Sequence, residues 1–383
     1  MALCLLLFFS FSPSSQPMPV LLSIAILALL ILVHEAGHFA AAKLQGIHVN
    51  RFSLGFGPVL WRYQGKETEY AIRALPLGGY VGFPDDDERS PYPPDDPDLL
   101  KNRPVADRLV VMSAGVMANL AFAYLVLVLM FATLGIPSVT RIHPGILIAQ
   151  VMPDSPAERA GLQAEDVVLR AADHDYSTVA DEASALAALN DFQALIRRSQ
   201  NRPVPLQVQR GEGDPILEIT VTPEMRGEVV AIGVNLAPNQ EVTLRPAQSP
   251  AEIFAEAGNA YQRLVMMNLS GLQQLLQNFQ NTATQVSGPV GIVKLGADLA
   301  RDDAASLFNF TALISINLAI LNLLPLPALD GGHIAFLILE AIRGKRLPKE
   351  LEERVMQTGL VLLLGLGVVL IFKDTLAIVT GSG

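Results

Sequence analysis

Cysteine is all but missing. Cys4 is the only one in 383 residues, so the chain can build neither a disulfide nor a thiolate zinc site. Charge is also scarce: 17% of residues are Asp, Glu, Lys or Arg, against about 25% in an ordinary soluble protein. Basic residues are the scarcer sign, 27 against 37 acidic ones for a net charge of −10, which argues against nucleic acid as a partner. The apolar stretch 1–17 lacks a basic n-region and a convincing cleavage site. It reads either as a signal-like segment or as an extension ahead of a start at Met18, and no function is assigned to it.

What the chain has instead is long apolar runs. Hydrophobic residues make up 51% of it, and four segments are long and apolar enough to cross a bilayer, roughly 18–39, 108–134, 306–329 and 355–372. The fold class expected is a polytopic α-helical membrane protein with about four transmembrane helices, an inserted α+β domain and a membrane-associated β-hairpin segment. Residues 18–134 and 306–376 form the membrane core, 140–238 the inserted domain and 250–305 an amphipathic segment at the membrane surface. Basic residues crowd 40–108, from Lys43 and Arg51 to Arg103 and Arg108, and recur at Arg343, Lys345, Arg346, Lys349 and Arg354. The long segment 135–305 is predominantly acidic. The positive-inside rule therefore puts the two basic loops in the cytoplasm and the long segment outside.

Within the first apolar run lies His34-Glu35-Ala36-Gly37-His38. An ionised group at mid-membrane costs about 2.5–3.5 kcal/mol even on the lenient insertion scale, so these residues need a reason to be there. Histidines four apart lie about 40° from each other around a helix and can reach one ion. Glu35 stands about 100° round from His34, placed to act as general base towards a metal-bound water. Gly37 lets another helix approach. A catalytic zinc takes three protein ligands and leaves one position open, so the third must come from elsewhere. The candidate is Asp330 in Asn322-Leu-Leu-Pro325-Leu-Pro327-Ala-Leu-Asp330-Gly331-Gly332, where two prolines break an apolar segment and free backbone carbonyls. Asp330 would also suit the N-cap of the next helix. Helix parity brings His34 and Asp330 to similar depth, towards the cytoplasm. His333, one turn on, needs no metal at a helix start and is left out. His48, His143 and His174 lie in loops without evident partners.

In 140–225 strand-like runs (ILIAQVM, DVVLRAA, PLQVQR, LEITVTP) alternate with helix patterns at SPAERAGL and about 183–199. Asp154-Ser155-Pro156-Ala157 followed by Ala160-Gly161-Leu162 resembles the PDZ domains of bacterial proteases, with Glu165 where a glycine is usual; a ligand-free spacer is the alternative. Such a domain would bind a peptide or chain terminus as an added strand.

Taken together, HEAGH at 34–38, NLLPLPALDGGH at 322–333 and SGPVGI at 287–292 resemble the site-2 protease family of intramembrane zinc metalloproteases, in its PDZ-containing, regulator-of-sigma-E-protease-like bacterial branch. The resemblance implies one Zn2+ per chain held by His34, His38 and Asp330, with Glu35 as catalytic base. It implies that Asn322 positions substrate or steadies the oxyanion. The family's GPxxN motif stands here as Gly115-Val116-Met117-Ala118-Asn119, without its proline; Asn119 is a candidate substrate contact, though helix packing fits it equally. The segment 51–83 corresponds to β-hairpins that dip into the membrane beside the site and hold an unwound substrate by strand pairing, an ordinary cytoplasmic hairpin being the alternative.

The expected activity is endoproteolysis of transmembrane segments of membrane-anchored proteins, such as anti-sigma factors, in a bacterial inner membrane. A catalytically inactive PDZ-bearing adaptor is the rival reading. A metal transporter is a poorer one, since four helices with one HExxH make a weak ion pathway.

Overall fold

The computed structural model describes residues 17–86, 90–211, 213–226, 229–278 and 286–380; the expectation for 1–17 therefore falls almost wholly outside the described residues. The chain forms two compact units, one of Met1–Leu134 with Ala247–Gly383 and one of Gly135–Pro246.

The first unit carries four helices long and apolar enough to span a membrane. They are α1 (Pro17–Leu44), α2 (Val105–Leu134), α7 (Ala304–Leu323) and α9 (Lys349–Thr380). Among the described residues, two amphipathic helices, α5 (Pro250–Gln277) and α6 (Pro289–Asp302), and the short α8 (Asp330–Arg343) accompany them. Helix α2 packs against α1, α5, α7 and α8. Small residues permit a close crossing with α1: a Cβ on Gly37 would strike Ala114 O and the Ala118 side chain, an approach that glycine and alanine allow. The third span ends at Leu323, not near 329. Pro325 and Pro327 cannot continue the helix, and Leu324–Leu329 becomes a turn with Ala328 in the left-handed region (φ 69°). Within SGPVGI, Ser287 and Gly288 lie outside any helix, and α6 begins at Pro289. There the Asp374 carboxylate of α9 accepts the N–H groups of Gly291 (2.7 Å) and Gly288 (3.2 Å).

The segment 51–83 holds two long strands, β1 (Arg51–Gln64) and β2 (Glu69–Gly82), but they do not form a plain hairpin. Arg51–Leu54 pairs with Gly82–Gly79 running antiparallel and also with Glu69–Ile72 running parallel, while Trp61–Gln64 pairs antiparallel with Ile72–Glu69. Each strand therefore doubles back, giving four short runs side by side. The reversal is taken by Gly55, Gly57 and Gly78, at φ 86°, 84° and 107°, values that L-residues with side chains rarely adopt.

The second unit is an α+β domain with the sheet order β10-β3-β4-β6-β7 and β5 paired to β4. Its strands are β3 (Ile136–Val151), β4 (Val167–Ala171), β5 (His174–Asp175), β6 (Val204–Gln209), β7 (Leu217–Val221) and β10 (Val234–Arg245). A small separate ladder joins β8 (Glu224–Arg226) and β9 (Val229–Ala231). Helix α3 (Pro156–Arg159) starts at Ser155, whose hydroxyl accepts the Glu158 N–H, and α4 (Glu182–Arg198) starts at a reciprocal Asp181–Ser184 capping box. The core gathers Ile146, Ile148, Val168, Phe192, Leu206 and Val208. Glu165 takes the left-handed backbone (φ 71°) that explains why glycine suits that position. Next to it the fully buried Asp166 receives two hydrogen bonds from Arg210, at 2.8 and 2.9 Å.

Candidate metal centre

His34 and His38 sit one turn apart on α1, both buried. Asp330 is the first residue of α8, and the turn before it is shaped to deliver it. A Cβ on Gly331 would collide with the Leu323 and Leu324 carbonyls, and one on Gly332 with the Leu326 carbonyl, so the glycine pair lets the α8 start tuck beneath the proline turn. The N-cap position belongs to Leu329 and no side chain caps the helix, which leaves the Asp330 carboxylate free of the capping role that its place also suited.

Three ligand atoms converge. His34 Nε2 lies 3.0 Å from Asp330 Oδ2, His38 Nε2 lies 3.3 Å from the same oxygen, and the two Nε2 atoms are 3.3 Å apart. Ligands bonded at about 2.0–2.1 Å to a tetrahedral zinc stand about 3.3 Å from one another, so the triangle has the edge length such an ion requires. Asp330 Oδ2 is buried and makes no hydrogen bond of acceptable geometry, as expected of an oxygen whose partner is an ion. Glu35, half-buried, points to the β segment, where Gly79 backs directly onto its side chain.

Helix α2 supplies the surroundings along one stripe. The carbonyl of Val111 accepts from His38 Nδ1 at 2.7 Å. Gly115 leaves the space that a Cβ would take from His38 Nε2 and His34 Cε1. Asn119, fully buried, lies with Nδ2 3.3 Å from His34 Nδ1. Asn322, at the end of α7, approaches the other edge of that ring, with Nδ2 3.5 Å from His34 Nε2. Of the residues singled out in the sequence, His34, His38, Asp330, Asn119 and Asn322 come together here, and Glu35 follows His34 on α1 with its side chain against Gly79. Val111 was not among them, since it contributes a backbone oxygen that no side chain advertises.

The other histidines lie elsewhere. His333 faces Glu352 at 3.8 Å. His48 does have partners, Glu67 at 2.8 Å and Asp96 at 3.7 Å. His143 and His174 prove to lie in strands, beside Glu241 and Asp191.

Two histidines and a carboxylate at zinc spacing, beside a free glutamate in apolar helices, define a membrane metalloprotease of the site-2 type. The chain belongs to Peptidase family M50, whose model matches residues 22–366. It is 53% identical to a candidate zinc metalloprotease of Nostoc sp. over 95% of this chain and 97% of that protein. It is 52% identical to a similarly named protein of Synechocystis sp. over 93% and 94% of the two chains. A chloroplast membrane metalloprotease of Arabidopsis thaliana, ARASP, is 44% identical over 94% of this chain and 79% of its own length. Zinc is accordingly the protein's metal, and the protein is an enzyme.

Proposed function

We propose that this metalloprotease cleaves peptide bonds within or near the transmembrane segments of membrane-anchored proteins, with zinc held by His34, His38 and Asp330. The observation that carries the reading is the triangle of Nε2, Nε2 and Oδ2 at 3.0–3.3 Å, set in helices fit to span a membrane. Zinc, when bound, supplies a Lewis acid and a readily deprotonated water. The chain's own residues do the rest. Glu35 takes the proton from the attacking water and hands it to the departing amine. Asn322, on the metal side of His34, is placed to donate to the carbonyl oxygen as it gains charge.

A helical substrate hides its peptide bonds and must be opened first. The β segment beside Glu35 offers strand edges that can pair with an extended chain. Its outer run carries Leu60 at 71% and Trp61 at 53% exposure, apolar surface suited to the lipid boundary. The Gly135–Pro246 domain is read as a PDZ domain facing outside, and an open edge of its sheet would take a chain terminus, so that trimmed proteins such as anti-sigma factors are admitted. A bacterial inner membrane, with the metal centre towards the cytoplasm, fits the basic loops.

The test is cleavage of a tagged single-span membrane protein by purified enzyme. Glu35→Gln should lower the rate by at least about 100-fold, the scale of general-base catalysis, with zinc retained. Asp330→Ala should lose zinc. Equal processing by wild type and Glu35→Gln would remove the protease mechanism, and undiminished zinc in Asp330→Ala would remove the third ligand.

A further inference from the structure

Asn119 and Asn322 address the same imidazole from opposite edges, and the difference separates their roles. Asn322 lies by His34 Nε2, the atom that meets Asp330 at 3.0 Å. Asn119 lies by Nδ1, the edge turned away from the ion position. It has no exposed surface, and its backbone carbonyl is already held by Ser315 Oγ at 2.8 Å. Substrate approaching the open side of a metal held by Nε2 would not meet it.

The chemistry of the ring says what Nδ1 requires. A neutral imidazole that offers Nε2 to a metal carries its proton on Nδ1 and needs an acceptor there. With Nδ2 turned to Nδ1, two donors face each other at 3.3 Å and the buried Asn119 Oδ1 is left without a partner. A half-turn of the amide, which interchanges two ends of nearly equal size, brings Oδ1 to Nδ1–H, ends the donor–donor contact and turns Nδ2 to the side that Oδ1 faced. It also makes His34 match His38, whose Nδ1 already faces the Val111 carbonyl at 2.7 Å. Both acceptors then come from one stripe of α2, residues 111 and 119, with Gly115 between them.

We propose that Asn119 is a positioning residue: its side-chain carbonyl accepts the Nδ1–H of His34 and fixes the tautomer and ring plane with which that histidine meets zinc. The inference rests on the zinc site of the preceding subsection. Partners of this kind typically contribute 10–100-fold to metal affinity.

The experiment is zinc affinity of the purified full-length protein in detergent, measured against chelator-buffered Zn2+, with thermal unfolding of the zinc-free forms alongside. Asn119→Leu keeps the side chain's bulk and loses the acceptor; Asn119→Ala serves where leucine is not accommodated. Either should weaken zinc binding about 10–100-fold. Asn119→Asp, which keeps an acceptor in the same place, should restore affinity to within about threefold of wild type. In the zinc-saturated leucine or alanine variant KM for a membrane substrate should be unchanged. Wild-type zinc affinity in the variant without an acceptor overturns the proposal, as does equal loss in Asn119→Asp, which would mark a need for the amide N–H donor, or a raised KM, which would mark a substrate contact. His34→Ala separates the two levels of the argument: loss of zinc there sustains the site, whatever Asn119 does, and retained zinc overturns site and proposal together.

Discussion

Gly115 matters for the atoms it lacks. A methyl group there would enter the space of His38 Nε2 and His34 Cε1, so Gly115→Ala should displace both rings and lower zinc occupancy after dialysis against a chelator. Overpacking of this kind costs about 1–3 kcal/mol. Full zinc content with wild-type stability would show that the rings have room to spare. The histidine pair and Glu35 could be read from sequence because their geometry is set by helical spacing alone. Asp330 could be found because prolines in an apolar segment demand an explanation. The surroundings were less legible. Val111 acts through its carbonyl, which every residue type offers, and the edge of His34 that Asn119 meets depends on where α2 crosses α1.

Among elements, the β segment shows most plainly what a pattern leaves out. The family resemblance implied β-hairpins in 51–83, but the doubling back of each strand rests on three left-handed glycines and pairings between distant runs. The turn between β1 and β2 is tied to the end of α1 by Glu67, which receives Lys43 and lies 2.8 Å from His48 Nδ1. Partial burial pushes the Glu67 carboxyl up, while the bonds to Lys43 and His48 outweigh this and hold it below its ordinary value of 4.5. A carboxyl depressed by folding stabilises the fold above its unfolded value and loses that contribution as pH falls through the lowered one. The turn should therefore loosen below about pH 4.5, within a range of about 0.2–1 kcal/mol for so exposed a pair. Trp61, the chain's single tryptophan, lies in β1 and reports on it. Its emission should show an acid transition that Glu67→Gln lacks, and the same transition in both proteins would detach the effect from Glu67. The third span offers a smaller lesson. Apolar composition carried the expected helix on to 329, whereas proline chemistry stops it at Leu323.

For the whole molecule, the second unit runs from Gly135 to Pro246, where apolar and polar patterning suggested 140–238. The reason is that β3 and β10 run longer than their apolar centres, to Ile136 and Arg245, in stretches with consecutive exposed residues, Val139–Arg141 and Glu241–Leu244, and so without a two-residue burial period. The core of the second unit is drawn wholly from its own residues, so residues 135–246 expressed alone should be water-soluble and unfold cooperatively in urea. A sloping, non-cooperative loss of circular dichroism would show that it depends on the rest of the chain.

Its two ends carry a further consequence. Ile136 pairs with Arg245 and Pro137 with Leu244, so the chain departs and returns at almost the same point. A domain whose entrance and exit adjoin is an interchangeable cassette. Evolution can insert it, duplicate it in tandem or discard it without rerouting the helices before and after, so that the helices carrying the metal centre keep their course.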